Sequence, residues 1–234
     1  MEFLGPEDEQ FLREAFGRLA ADVHLKLETK AQSRIVLAGG PPSEAGAGGT
    51  DGEDLSAEIS GLLTEIASTS EHIKLTATEV SAHSGEPLPA ITFSSTRSKG
   101  RLRYLGLPAG HETSTLIATI LDLGTDDPLI PDEVVERLAK LEREVHIEVF
   151  VTPTCPHCPR MARVAFQLAM VCDKVKADVV EVQEFPALGE KYSVRGVPTT
   201  VVNGAEALLG VVNPMDLVAL VEKQGAEPSR IIML

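Results

Sequence analysis

Apolar residues recur along the chain with two spacings, and these spacings distinguish helices from strands. An interval of three or four residues indicates a helix with one buried face, whereas strict alternation indicates a strand. The first half of the chain predicts helices at 6–20, 54–68 and 112–121 and strands at 23–29, 73–78, 90–93 and 102–105. The predicted order is therefore helix, strand, helix, strand, strand, strand, helix.

The second half repeats this order. It predicts helices at 131–141, 156–172 and 214–222 and strands at 145–151, 179–182, 199–202 and 207–212. A proline precedes the third strand in both halves, Pro89 in one and Pro198 in the other. The first strands also read alike, with Val-His-Leu-Lys-Leu from Val23 beside Val-His-Ile-Glu-Val from Val145. These correspondences predict a tandem repeat.

Each repeat begins with a strand–helix–strand crossover and ends with an antiparallel hairpin, which predicts a central mixed sheet with helices on both faces. This α/β order resembles the thioredoxin arrangement, present twice. We predict two tandem thioredoxin-like domains, at 1–124 and 125–234, because Gly, Asp and Pro cluster between them. A glycine-rich stretch at 39–52 predicts a flexible loop within the first domain.

Composition narrows the classes of partner. The 234-residue chain has a formal net charge of −14, which disfavours binding to nucleic acid and to anionic membranes. It has no apolar run long enough to span a bilayer, and its acidic N-terminus lacks the features of a signal peptide. Three cysteines make a poor disulfide framework, so a reducing compartment is the simpler context. We therefore expect a cytoplasmic protein.

The chemistry is concentrated at Cys155-Pro-His-Cys158, between a predicted strand and a predicted helix. This spacing brings the two sulfurs within disulfide reach. The positive end of the helix favours the Cys155 thiolate and lowers its pKa. Pro156 is expected in the first helical turn, where its missing N–H costs nothing, and His157 is expected to add positive charge.

The expected reaction is thiol–disulfide exchange with no cofactor besides the redox-active disulfide. The Cys155 thiolate attacks a substrate disulfide, and Cys158 then resolves the mixed disulfide. A cis peptide between Val197 and Pro198 would place the Val197 backbone beside Cys155 for substrate binding. Thr154 completes the expected substrate-binding set, and no residue of the first half is assigned to the site.

The cysteines and the acid nearest to them also have alternative interpretations. A zinc site needs four ligands, and Cys172 lies about 21 Å farther along the same predicted helix as Cys158, so no metal site is expected. Cys172 itself is interpreted as an inert buried residue. Glu148, in the strand before the dithiol, either accepts a proton from Cys158 or faces outward.

With these motifs established, the chain resembles the glutaredoxin-like protein disulfide oxidoreductases, which have two tandem thioredoxin folds. The stretches that carry the resemblance are 149–159, Val197-Pro198 and 103–112. Members of this family commonly have a second C-x-x-C in the first domain. The corresponding positions here are Glu53 and Ser56, and residues 1–154 contain no cysteine. The resemblance therefore implies that only the second domain exchanges disulfides.

Three functions remain open from the sequence. The first is an oxidoreductase acting on protein disulfides or dithiols and recharged by a thioredoxin-reductase-like flavoprotein. The second is an electron shuttle to a peroxiredoxin, because the N-terminal module of the flavoprotein component of alkyl hydroperoxide reductase is similar in having two thioredoxin folds with only the second active. The third is a non-enzymatic interaction module. The Pro-His dipeptide is shared with periplasmic disulfide-forming oxidases, so an oxidising role is also considered.

Overall fold

The structure is a computed structural model that describes residues 3–31, 50–81, 85–127 and 129–226. Most of the glycine-rich stretch predicted as a flexible loop, up to residue 49, lies outside the described residues. Within the described ranges, no helix has both the length and the apolar character needed to cross a membrane.

The helices are α1 Pro6–Phe16, α2 Thr50–Ser68, α3 Thr113–Gly124, α4 Asp132–Leu138, α5 Cys158–Val171, α6 Pro186–Lys191 and α7 Pro214–Gly225, with a short 3₁₀ helix at Gly110–Glu112. The strands are β1 Val23–Lys30, β2 Ile73–Val80, β3 Ala90–Ser94, β4 Arg101–Leu105, β5 Val145–Val151, β6 Val175–Glu181, β7 Thr199–Val202 and β8 Glu206–Leu209. Each helix and strand predicted from the spacing is present. The pattern missed α6, and it placed residues 50–52 in the loop although they begin α2.

The strands form one eight-stranded mixed sheet in the order β2-β1-β3-β4-β6-β5-β7-β8. Each half contributes a parallel pair, β1 with β2 or β5 with β6, and an antiparallel hairpin. The predicted α/β fold is confirmed, but the two half-sheets are not separate, because β4 pairs in parallel with β6. This pairing joins two strands that would otherwise be open sheet edges.

The internal repeat extends to matching backbone contacts at the ends of α3 and α7. The carbonyl of Gly124 accepts hydrogen bonds from the N–H groups of Ala20 and Ala21. In the second half, the carbonyl of Gly225 accepts from Glu142 and Arg143. In both halves the last helix thus closes back onto the segment that leads into the first strand.

Charged side chains also hold the halves together where β4 meets β6. Arg103 donates to Asp178 with an Nη2–Oδ2 distance of 2.8 Å, and both side chains are buried. Burial opposes the charged form of Asp178, but hydrogen bonds from His146 and Arg103 outweigh it and lower the pKa to about 2. Since a buried charge left without its partner is costly, this pair fixes the register between the halves.

The β3–β4 turn of the first half caps the C-terminal end of α5. The N–H groups of Lys99 and Gly100 donate to the carbonyls of Met170 and Ala169, each at 2.9 Å. A Cβ at Gly100 would lie 2.1 Å from the Val175 carbonyl oxygen. Only glycine therefore allows the two backbones to approach this closely.

Gly100→Ala is expected to lower the free energy of unfolding by about 2 kcal/mol, because backbone atoms that cannot rotate away must shift. Urea denaturation followed by circular dichroism measures the change. Gly196→Ala is the matched control, since its Cβ would meet only the Leu209 side chain at 3.6 Å. Equal unfolding midpoints for the two variants would contradict the prediction.

Candidate functional site

The dithiol lies in the loop that leads from β5 into α5. Cys155 and Cys158 form a disulfide with a Cα–Cα distance of 5.5 Å. Cys155 is 8% exposed, whereas Cys158 is fully buried. Of the two cysteines, Cys155 is thus the more exposed, and the roles of nucleophile for Cys155 and resolving thiol for Cys158 stay a prediction.

The start of α5 differs from the prediction. The helix begins at Cys158, with His157 as its N-cap residue and Pro159 in its first turn. Pro156 lies in the turn before the helix, so it does not occupy the first helical turn as predicted. Pro159 takes that place, because a proline at the second helical position loses no hydrogen bond. Thr154, Pro156 and His157 are all exposed around the disulfide.

Val197 and Pro198 lie at the same end of the sheet as the dithiol. The peptide bond between them is cis, as predicted. Strand β7 runs antiparallel to β5 with Thr199 opposite Phe150, so the residues preceding β7 lie beside those that follow β5. Val197 is half-buried and packs against the core cluster that contains both cysteines. The backbone that precedes β7 thus lies next to the loop that begins after β5 and carries the dithiol.

A turn of the first half, to which the sequence assigned no site residue, contacts the loop that carries the dithiol. The N–H of His111 donates to the carbonyl of Pro153, two residues before Cys155, at 2.9 Å. Gly110 has a φ of +58°, and a Cβ there would lie 2.5 Å from the same carbonyl oxygen. The Gly110–Glu112 turn therefore packs directly on the active-site loop.

Glu112 ends this turn and is fully buried. Thr115 Oγ1 donates to its Oε2 at 2.8 Å, while Oε1 has no hydrogen-bond partner among the described residues. Burial raises the pKa of Glu112 to about 7, although the bond from Thr115 opposes the rise. A carboxyl group with an unpaired oxygen and a pKa near neutrality is suited to exchanging a proton.

Two further acids gather at the carboxyl end of β6. The N–H of Leu107, just after β4, donates to Glu184 Oε2 at 3.0 Å. Burial raises the pKa of Glu184 to about 7 and also raises that of Glu181. The Tyr104 hydroxyl is buried without a hydrogen-bond partner in the described part of the chain, and burial raises its pKa, with nearby carboxylates adding to the rise. These groups share one signal in the sequence, because each lies at or just after the end of a strand. Parallel strands end at the same edge of a sheet, so such residues come together there.

Glu148 does not serve the dithiol. Its strand neighbours Ile147 and Val149 pack in the cluster that holds the cysteines, so alternation turns Glu148 to the opposite face of the sheet. It is buried there and interacts with Tyr192. Val149, the next residue along the strand, faces the side of the sheet on which the cysteines lie. Of the two interpretations left open for Glu148, neither is correct, because the side chain is buried but away from Cys158.

The remaining cysteine lies apart from the site. Cys172 is buried at the end of α5, and its Sγ donates weakly to the Leu138 carbonyl at 3.5 Å. In the described ranges, no group of three or more His, Cys, Asp or Glu side chains is arranged to hold a metal ion.

The first half has the cis proline and the strand–helix order of a second site but not the cysteines. Leu88 and Pro89 form a cis peptide before β3, as Val197 and Pro198 do before β7. Glu53 and Ser56, where the resemblance noted from the sequence would place a second dithiol, fall near the start of α2. Helix α2 follows β1 as α5 follows β5, so the two halves share this part of the fold although only the second has cysteines there.

The chain shares sequence with known redox proteins. Residues 145–222 match the thioredoxin domain family. An alkyl hydroperoxide reductase component of Pseudomonas putida is 28% identical over 149 residues, which are 64% of this chain and 28% of that protein. The NADH dehydrogenase of Bacillus subtilis is 22% identical over 152 residues, which are 65% of this chain and 29% of that protein. The chain therefore spans less than a third of the length of these relatives.

Two solved structures share nearly the whole fold. The NTD_N/C domain of alkylhydroperoxide reductase AhpF from Enterococcus faecalis has a TM-score of 0.75 at 20% identity, covering 94% of this chain and 100% of that domain. A protein disulfide oxidoreductase from Aeropyrum pernix has a TM-score of 0.77 at 22% identity, covering 96% and 95% of the two chains. These similarities confirm the predicted double thioredoxin fold.

Proposed function

Since the chain is a thioredoxin-like disulfide oxidoreductase, we propose that it acts as a dithiol electron carrier in a hydroperoxide-reducing system. It accepts electrons from a thioredoxin-reductase-like flavoprotein and passes them to a peroxiredoxin. The Cys155–Cys158 disulfide is the carrier group and needs no added cofactor. Three cysteines, too few for a disulfide framework, support a reducing compartment such as the cytoplasm.

The number of dithiols carries this proposal. A double fold with one dithiol can relay one electron pair at a time but cannot pass electrons between two internal sites. The Enterococcus domain, which belongs to a hydroperoxide reductase, is covered completely by this chain. The curated relatives that are named as parts of alkyl hydroperoxide reductases match this chain over about two thirds of its length.

The second candidate is a general reductase or oxidase of protein disulfides. The similarity to the Aeropyrum protein disulfide oxidoreductase favours it. The exposed Pro156 and His157 between the cysteines are also compatible with an oxidising role, because residues between the cysteines influence how far the thiolate is stabilised. The two candidates share the same chemistry and differ in the partner.

A single-turnover competition distinguishes them. The chain is reduced with dithiothreitol, freed of reductant and mixed either with an oxidised two-cysteine peroxiredoxin or with insulin. We expect the peroxiredoxin to be re-reduced at least about a hundredfold faster than insulin, because a dedicated carrier docks its partner in a productive orientation. Thiol titration after rapid quenching measures both rates.

The Cys155→Ser chain is the control for both arms and should transfer nothing. Similar rates with peroxiredoxin and insulin would favour the general oxidoreductase instead. No transfer to either partner from the unsubstituted chain would contradict disulfide exchange altogether.

A further inference from the structure

The surface around the disulfide differs in charge from the rest of the chain. The whole chain has 35 acidic and 21 basic residues. Three segments meet around the site, namely the turn and helix at 105–124, the loop and helix at 149–172 and the stretch at 191–202. Their acidic residues are Glu112 and Asp122, and both are buried. No carboxylate from these segments is therefore presented at the surface.

A groove opens beside the disulfide between α3 of the first half and α5 of the second. Its volume is about 530 Å³, and Ser114, Ala118, Pro159, Arg160 and Val164 are among its lining residues. Its lining residue Pro159 directly follows Cys158 in the chain, so the groove lies along the first turns of the helix that carries the dithiol. Small and apolar side chains alternate here with guanidinium groups, which suits an extended peptide segment.

The two arginines of the groove have different environments. Arg163 donates to the buried Asp122 through Nε at 2.9 Å and Nη2 at 2.7 Å, so the Asp122 carboxylate neutralises its charge. Arg160 is exposed, one turn into α5, and forms no ion pair within the described residues. Arg160 therefore supplies the unneutralised positive charge of the groove.

We propose that this groove binds an acidic segment of the partner protein beside the partner's disulfide, and that Arg160 selects for it. This inference rests on the proposed function and specifies its partner. Charge complementarity supports it, because a carboxylate entering the groove meets the free guanidinium of Arg160, while the acids of the surrounding segments, Glu112 and Asp122, are buried. Outside the groove the net charge of −14 repels the same segment. This repulsion favours encounters in which the segment of the partner approaches the groove.

The test uses two synthetic peptides of equal length, each with one cysteine held in a mixed disulfide with 2-thiopyridine. Aspartates and glutamates flank the cysteine in one peptide, and asparagines and glutamines replace them in the other. The Cys155 thiolate attacks the peptide sulfur and expels pyridine-2-thione, which is measured by absorbance. Cys158 then attacks the Cys155 sulfur, which releases the peptide thiol and leaves the protein disulfide. One pair of electrons is transferred in each turnover.

We expect the acidic peptide to react up to about fivefold faster than the neutral peptide at low ionic strength, a value typical of exposed charge pairs. The ratio should approach one in 1 M salt, where the screening length falls to about 3 Å. Arg160→Gln should bring the ratio to about one, and Arg160→Glu should reverse it. Because each ratio is taken within one variant, a general change in reactivity cancels.

Arg13→Gln is the matched control, because it removes the same charge from an exposed side chain on α1. It should leave the ratio unchanged. A ratio that Arg160→Gln does not alter, or an acidic peptide that reacts more slowly with the unsubstituted chain, would overturn the docking proposal. Failure of both peptides to react at all would instead overturn the proposed disulfide chemistry.

Discussion

Cys155→Ser is expected to abolish disulfide exchange, lowering the rate by more than about 10³-fold, as removal of a covalent nucleophile does in other enzymes. The thiolate is the attacking species, and a hydroxyl group does not replace it at neutral pH. Cys158→Ser should behave differently. Its Cys155 still attacks, but the mixed disulfide is not resolved, because the buried sulfur that would release the partner is gone.

Mass spectrometry of the reaction with an oxidised protein substrate measures this difference. The Cys158→Ser chain should accumulate a covalent complex, and the Cys155→Ser chain should form none. Cys172→Ser is the control, since Cys172 lies at the far end of α5 from the disulfide. Accumulation in Cys155→Ser rather than in Cys158→Ser would reverse the assigned roles.

Glu112→Gln is expected to stabilise the protein above neutral pH. The pKa of Glu112 rises from 4.5 to about 7 on folding because of burial. The folded chain therefore holds this proton more tightly than the unfolded chain does. The carboxyl group costs nothing below about pH 4.5, its cost grows as the pH rises, and above pH 7 the full penalty of about 3 kcal/mol applies.

A neutral glutamine avoids this penalty, and its amide oxygen can still accept from Thr115. Thermal unfolding should therefore give Glu112→Gln a midpoint about 6–12 °C above that of the unsubstituted chain at pH 8, and a similar midpoint at pH 5. Glu190→Gln, which alters an exposed carboxyl, is the control and should show no such dependence. Parallel pH curves for Glu112→Gln and the unsubstituted chain would contradict the prediction.

The same variant should exchange disulfides more slowly. When Cys158 attacks, its thiol must lose a proton, and we expect the buried Glu112, whose turn contacts the loop before Cys155, to accept it. Loss of a proton acceptor with a suitable pKa lowers rates by about a hundredfold. A variant that gains stability at pH 8 and loses activity there would show that this buried acid is kept for function.

The sequence predicted the part of the site that local pattern determines. The C-x-x-C spacing between a strand and a helix brings the sulfurs of Cys155 and Cys158 within reach of each other, and a proline before a strand in both halves marked Pro89 and Pro198. Helix and strand positions followed from spacing, because the core needs apolar residues on one face. Helix α6 was missed because its six residues are too few to show a helical period.

Glu112 was missed for a different reason. A single acid in a glycine-containing turn looks like an exposed residue, and its burial depends on contact with a loop about 40 positions away. The pairing of β4 with β6 was missed in the same way. The repeat shows what each copy looks like but not how one copy meets the other. Both features depend on contacts between the two halves, and the spacing of apolar residues within one half does not predict such contacts.

The pairing of β4 with β6 also bears on how the second half would behave alone. Without the first half, β6 would lie at an open edge of the sheet. Such an edge can pair with strands of other molecules. We therefore expect a fragment that begins after residue 124 to aggregate more readily than the whole chain.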